Sequence, residues 1–214
     1  MVFFARTWLY AALGCAAALA VPVTQRSFKS IDIAMTDSMG SLLAYMATEV
    51  FATGQTLPRA GNDHPLVAPY GLFETSDGHI AIAVSNDQIV DRLFRLLECR
   101  HLLDDPRFAN NEARVQHRDE IRAEIQSRLI GQTTEVWLAR LNDAGVPAGP
   151  VLDVISALND PQIQYRNMVL ESSVQKGENI PILGFPIKQS VDAPELRCPA
   201  PELGEHNHAA FCQL

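Results

Sequence analysis

A glycine- and proline-rich stretch at residues 61–71, followed at once by alternating apolar residues, constrains the fold of this chain most. It reads Gly-Asn-Asp-His-Pro-Leu-Val-Ala-Pro-Tyr-Gly. Its repeated breaks and its lack of periodicity predict a loop, which we place over Gln55–Pro69. Gly71–Thr75 and His79–Ser85 then read as two strands joined by a turn at Ser76-Asp77-Gly78. The chain therefore contains an antiparallel hairpin that follows a long loop.

Helical periodicity lies on both sides of this hairpin. Apolar residues recur at three- and four-residue steps, and the capping residues Asn86 and Thr133 stand where two of the helices begin. Ile121, Ile125 and Leu129 form the apolar stripe of the Asn110–Gly131 helix. The pattern predicts helices over Ile31–Thr53, Gln88–Leu97, Asn110–Gly131, Thr133–Gly145 and Ile155–Asn159.

A second hairpin is expected towards the end of the chain. Val169–Val174 and Ile180–Ile187 read as its strands, and residues 176–179 read as its turn. Pro147–Pro150 is expected to be extended, and the stretch from Asp192 onward reads as a proline-rich tail. Helices with two small antiparallel pairs make the fold class a mixed α/β one.

Composition limits the functions that are open to this chain. Its 214 residues carry a net charge of −8, and the positive charges are scattered. This argues against a nucleic-acid or membrane partner, because either surface needs clustered Lys and Arg. The cysteines show no spacing typical of a metal site, so we expect no metal and reduced thiols in a cytoplasmic protein. They are Cys15, Cys99, Cys198 and Cys212.

The N-terminal apolar run, Trp8–Val21, has two interpretations. Arg6 before it and Ala18-Leu19-Ala20 near its end have the outline of a signal peptide. Its Ala and Leu residues are equally those of a buried helix that ends before Pro22. The pattern by itself leaves both readings open.

Several short motifs, in order, resemble one enzyme family. They are Ile31-Asp32-Ile33-Ala34-Met35, the 61–78 block, Asp105-Pro106-Arg107-Phe108-Ala109 with Asn111, Arg114, His117 and Arg118, the run 144–151, Asp160-Pro161-Gln162, and Pro201-Glu202-Leu203-Gly204-Glu205-His206. Together they resemble the class III CoA-transferases, the group of formyl-CoA transferase, carnitine CoA-transferase and α-methylacyl-CoA racemase. The resemblance runs from about Leu9 to His206, and it favours the helix over the signal peptide at the N-terminus.

The resemblance implies a domain plan and an assembly. Residues 1–56 would be the end of a large domain with linker helices, residues 57–168 the small domain, and residues 169–214 a segment returning to the large domain. The Rossmann-like large domain itself would be missing from the chain. Family members form interlocked dimers, so we expect a homodimer or a pairing with a homologue. Without the large domain, the chain should expose apolar surface and self-associate.

The resemblance also implies a chemistry. The family moves CoA from an acyl-CoA to a carboxylic acid through an aspartyl intermediate, with the CoA thioester as substrate and no permanently bound cofactor. The position of the family aspartate falls at Phe4, which has no nucleophilic atom, so we expect a truncated chain that is inactive alone. Asp32 and Asp37 match structural positions of the family rather than catalytic ones.

The 61–65 stretch matches the flexible substrate loop of the family. It consists of Gly61, Asn62, Asp63, His64 and Pro65. His64 could contact a substrate carboxylate or could simply order the turn, and the sequence favours neither. Asn86 stands where the racemase branch has a glutamate, and an amide cannot exchange a proton, which favours the transferase branch. The alternatives are a non-catalytic partner of a full-length homologue and a secreted protein.

Overall fold

The computed structural model describes residues 2–25, 27–173, 179–192, 194–196, 201 and 203–207. The chain divides into two compact units, Met1–Val67 and Ala68–Leu214. Both contain helices, and the described strands all lie in the second unit, which confirms the mixed α/β class. The three-part division at residues 56 and 168 stays a prediction.

The first unit is helical in its described part. The N-terminal apolar run forms a helix, as the resemblance favoured, and Gly14 lets this helix lie close to Ile31, where a Cβ atom would stand 3.2 Å from Cγ2 of Ile31. None of the helices in the described part of the chain is both long and apolar enough to cross a membrane. The helices are α1 (Val2–Ala20), α2 (Met35–Gly40) and α3 (Ala44–Thr53), with 3₁₀ turns at Val23–Gln25 and Ser41–Leu43.

The prediction of one helix over Ile31–Thr53 is wrong in its first part. Residues 31–34 are not helical, the backbone of Ala34 is extended, and helix begins only at Met35. The β-branched Ile31 and Ile33 disfavour helix, and Gly40 stands at the break between α2 and the following 3₁₀ turn. The predicted end of this helix at Thr53 is confirmed, since Gly54 follows it with φ +69° and donates its N–H to the carbonyl of Val50.

The second unit is built on the predicted hairpin. Strands β1 (Tyr70–Glu74) and β2 (His79–Ala83) pair antiparallel, and β3 (Ala148–Pro150) adds to the other edge of β2. Phe73 pairs with Ile80, and both side chains are buried. Alternation thus places one face of the sheet against the core.

Four helices accompany this sheet in the second unit, and all but the second of them supply buried hydrophobic residues to the core. They are α4 (Asp87–Leu96), α5 (Asn111–Gln116), α6 (Arg118–Leu129) and α7 (Thr134–Asp143). The predicted stripe of Ile121, Ile125 and Leu129 is fully buried, which confirms the orientation of α6. Two 3₁₀ turns, at Arg100–Leu102 and Pro106–Phe108, connect α4 to α5.

The prediction of one helix over Asn110–Gly131 is wrong, because the helix breaks at His117. The backbone of His117 has φ −107° and ψ 32°, so it ends α5 and begins α6. Arg114 and Ile121 stand on either side of the break, seven residues apart and both buried. Seven residues make about two helical turns, so the buried positions keep helical spacing across the break and conceal it.

The remaining elements are short. Helices α8 (Val154–Leu158) and α9 (Pro161–Tyr165) follow β3, and only α8 was predicted. Asp160 caps α9 by accepting the N–H groups of Gln162 and Ile163. Strands β4 (Val169–Ser173) and β5 (Asn179–Leu183) form the second hairpin, and most of its predicted turn lies outside the described residues.

Candidate functional site

The predicted substrate loop contains a turn that needs a glycine. Gly61 has φ +61°, in the left-handed region that L side chains rarely adopt. The N–H of Asp63 donates to the carbonyl of Ala60 at 3.0 Å across this turn. Gly61 and Asn62 are exposed, whereas Asp63, His64 and Pro65 are half-buried.

Contacts within the first unit hold His64. Its ring stacks on that of Tyr45 in α3, with 5.1 Å between the ring centroids and 13° between the planes. Its Nδ1 accepts the N–H of Leu66 at 3.2 Å. A neutral imidazole that accepts at Nδ1 carries its proton on Nε2, so that nitrogen is a donor. His64 therefore orders the turn, and the second role, contact with a substrate carboxylate, stays a prediction.

Phe4 lies in the first turn of α1, ten residues before Gly14. A helix rises about 1.5 Å per residue, so the two positions are separated by about 15 Å along the helix axis. The structure describes no more of Phe4 than this place in the helix. It leaves untested the prediction that Phe4 occupies the position of the family aspartate.

A cavity of about 470 Å³ lies beside the middle of α1. Asp32 and Asp37, the two carboxylates that the resemblance assigns to structural positions, both line it. Tyr10 lines it too, and its hydroxyl is 2.9 Å from Oγ of Ser41. That hydrogen bond, followed by the nearby Arg6, lowers the pKa of Tyr10.

This cavity is not built like a nucleophile site. Apart from Ser38 and Ser41, its other lining residues carry no polar side chain, and they are Leu13, Gly14, Ala17, Ile31, Ile33 and Ala34. A carboxylate nucleophile needs hydrogen-bond donors aimed at the developing oxyanion. In the described residues, the hydroxyls of Ser38 and Ser41 instead donate to the carbonyls of Ala34 and Ser38. The interpretation of Asp32 and Asp37 as non-catalytic positions is therefore kept as our prediction.

Asn86 caps α4 as predicted. Its Oδ1 accepts the N–H of Ile89 at 3.0 Å, and its backbone is extended, as an N-cap residue requires. Asp87, the first residue of α4, pairs with the guanidinium of Arg114. The place of Asn86 is thus the start of a helix of the second unit.

The described part of the chain contains no cluster of side chains that could bind a metal ion. No three His, Cys, Asp or Glu side chains there come together as metal ligands would. Cys15 is exposed and Cys99 is buried, and both are free thiols. Burial is the main cause that raises the pKa of Cys99. The expectation of no metal stays a prediction, as Cys198 and Cys212 lie outside the described residues.

Sequence reasoning missed the residues that hold the loop. Tyr45 was read only as part of a helix, and no local signal connects it to His64 across the intervening residues. Asn111 and Arg114 were noted as part of a motif, yet no role was predicted for them. Both contact the backbone of Ala68, and both side chains are at least partly buried.

Comparison with known proteins agrees with the motifs. The sequence profile of CoA-transferase family III matches residues 1–207. The chain is 31% identical to a succinate–glutarate CoA-transferase of Agrobacterium fabrum over 208 residues, which is 97% of this chain and 52% of that protein. It is 35% identical to an acetyl-CoA:oxalate CoA-transferase of Acetobacter aceti over 198 residues, which is 91% of this chain and 50% of that protein.

A solved structure has the same fold. The crystal structure of a CAIB/BAIF family protein from Brucella suis superposes with a TM-score of 0.77 at 35% identity, covering 97% of this chain and 54% of that one. The chain thus spans about half the length of the relatives it matches. The motifs, the profile match over nearly all residues and the shared fold together show that this chain belongs to CoA-transferase family III.

Proposed function

We propose that this chain takes part in moving CoA from an acyl-CoA to a short dicarboxylic acid, and that its 61–65 loop faces the acid. The observation that carries the proposal is the family match over residues 1–207. The names of two relatives support the substrate class, since succinate, glutarate and oxalate are all small dicarboxylic acids. A donor at Nε2 of His64, in a half-buried loop, suits the free carboxylate of such an acid.

The proposed reaction uses an aspartate as a carrier of CoA. Its carboxylate attacks the thioester carbonyl, the C–S bond breaks, and a mixed anhydride and CoA thiolate form. The thiolate then attacks the aspartyl carbonyl, which releases the first acid and leaves an aspartyl-CoA thioester. The incoming acid repeats the two steps in reverse order, so that the new acyl-CoA leaves and the aspartate is regenerated.

The chain as given is proposed to need a second component for this reaction. Phenylalanine stands at position 4, where the resemblance places the aspartate. About half the length of the relatives has no counterpart in the matched region. We therefore expect no transfer by the chain alone and propose that the nucleotide-fold half of the family has to be supplied. A dimeric assembly and a cytoplasmic location belong to the same proposal.

Complementation tests the proposal. The chain is co-expressed with the unmatched half of the Agrobacterium relative, in three forms: unchanged, Phe4→Asp and Phe4→Asn. Succinyl-CoA and glutarate are the probes, and the new thioester is measured by chromatography. We expect transfer with Phe4→Asp to exceed that with the isosteric Phe4→Asn by at least about 10³-fold, because only the carboxylate is a nucleophile.

Two results would contradict the proposal. Equal transfer by the unchanged chain and by Phe4→Asp would place the nucleophile elsewhere. A stable complex without transfer in any form would show that this chain does not support the family reaction.

A non-catalytic pairing with a full-length homologue is the second candidate. The phenylalanine at position 4 favours it, because such a partner would not need a nucleophile of its own. Co-purification of the tagged chain with an intact homologue, without any gain in transfer on Phe4→Asp, would support this role over the first.

A further inference from the structure

The peptide at Ala68 is held by two side chains of one short helix. Its N–H donates to Oδ1 of Asn111 at 3.2 Å, and its carbonyl accepts from Nε of Arg114 at 2.8 Å. Ala68 is 1% exposed, so these two bonds replace the hydrogen bonds to water that its N–H and carbonyl lose on burial. Asn111 and Arg114 are three residues apart on α5, which puts their side chains on the same face.

Arg114 connects Ala68 to two further segments of the second unit. Its Nη1 donates to the carbonyl of Phe108 at 3.1 Å, and its Nη2 pairs with the carboxylate of Asp87. The side chain is 3% exposed, although it carries a permanent charge. A planar guanidinium can satisfy acceptors in several fixed directions at once, which a lysine ammonium cannot do equally well.

The segments that Arg114 joins adjoin the predicted site residues. Ala68 lies three residues after Pro65, the last residue of the 61–65 loop. Asp87 directly follows Asn86, which stands at the position of the racemase glutamate. The buried guanidinium of Arg114 therefore holds both Ala68, shortly after the loop, and Asp87, the first residue of α4.

We propose that Arg114, together with Asn111, is a positioning residue that anchors the downstream end of the 61–65 loop. The inference rests on the proposed function of that loop in facing the acid. Removing the anchor frees the peptide at Ala68 and lets the loop sample open conformations while the core stays folded. If Arg114 served only global stability, its removal would instead open the loop and the core together.

Trypsin cleavage after Arg59 in the full chain tests this anchor. Arg59 is exposed and lies two residues before Gly61, so cleavage there reports on the opening of this region. Cleavage after Lys29, which is exposed in the non-helical segment before α2, serves as the internal standard. In Arg114→Met and Asn111→Leu we expect the ratio of Arg59 to Lys29 cleavage to rise about tenfold, because each change deletes a bond to a buried peptide.

Arg122→Met is the matched control. Arg122 also donates to a backbone carbonyl, that of Leu72 at 2.6 Å, and its guanidinium lies over the ring of Phe73. Those contacts are with β1 rather than with Ala68. Loss of this arginine should lower the urea midpoint while leaving the cleavage ratio near that of the unchanged chain.

Asn111→Asp keeps an acceptor oxygen for the N–H of Ala68, so it should retain the original ratio that Asn111→Leu loses. Hydrogen exchange gives a second readout in case Arg114→Met folds poorly. Peptides within residues 57–67 should exchange faster in Asn111→Leu, whereas peptides within 70–83 should not. Equal acceleration of both, or an Arg59 ratio no higher than in the Arg122 control, overturns the inference.

Different experiments test the anchor and the proposed function, so either one can be contradicted without the other. Cleavage and exchange need no activity, so they decide the anchor even if complementation yields no transfer. In an active Phe4→Asp complex, Arg114→Met should raise KM for glutarate in inverse proportion to the fraction of chains whose loop stays closed. An unchanged KM in a variant whose loop is open most of the time would contradict the role of the loop in facing the acid.

Discussion

At the scale of single residues, Asp77 lies in a turn and also binds a distant helix. It was predicted as the centre of the β1–β2 turn, and β1 and β2 do flank it. Its Oδ1 also accepts the N–H of Thr134 at 2.7 Å and the hydroxyl of Thr134 at 2.9 Å. The carboxylate therefore caps α7 from 57 residues away and ties the hairpin to that helix.

This contact makes stability depend on pH. The hydrogen bonds from Thr134 hold the pKa of Asp77 below its ordinary value of 3.8. The carboxylate thus adds stability above that ordinary value, and the contribution is lost as pH falls through the lowered pKa. We expect Asp77→Asn to lower the urea midpoint at neutral pH, with a difference that shrinks as pH falls from about 5 to about 2. A difference that stays constant over this range would contradict the assignment.

At the scale of elements, the apolar stripe of α6 decides which face of this helix is buried. Ile125 is fully buried, whereas Ile130, directly after the helix, is 46% exposed. We expect Ile125→Ala to lower the free energy of unfolding by about 2–5 kcal/mol, because it leaves a cavity in the core. The same substitution at Ile130 should cost less than about 1 kcal/mol, because little packing is lost there. Urea denaturation of both variants checks the pair, and equal losses would contradict the placement of α6.

At the scale of the whole molecule, α1 presents large apolar side chains to solvent. Trp8 is 74% exposed and Leu9 is 69% exposed. A helix of this kind usually lies against a partner, so we expect the purified chain to bind an apolar dye and to self-associate. Trp8→Gln with Leu9→Gln should reduce light scattering several-fold, since apolar area drives association.

The control for that experiment is Ala12→Gln with Ala16→Gln. Both alanines are exposed on the same helix, and the change leaves the net charge unaltered. If this pair reduces scattering as much as the Trp8 and Leu9 pair, the apolar side chains are not the cause. A monodisperse monomer without dye binding would contradict the prediction altogether.

Patterns within a few residues of sequence predicted many of the helices and strands. The alternation around Phe73 and Ile80 predicted the β1–β2 hairpin, and the caps Asn86 and Thr133 predicted where α4 and α7 begin. Each of these signals acts within a few residues, so a single sequence contains it. The resemblance gave the family and the 61–65 loop. Phasing that continues across His117 hid a helix break, because a periodic pattern does not report the backbone angles of one residue.

Contacts between distant residues were decided only by the tertiary structure. The stacking of His64 on Tyr45, the cap on α7 from Asp77 and the hold of Arg114 on Ala68 each join segments that have no periodicity in common. The Arg114–Ala68 bond forms because a buried polar group has to find a partner, and for all three contacts the partner that lies within reach depends on how the elements pack. The sequence by itself determined the elements and the family, whereas packing determined what holds the loop.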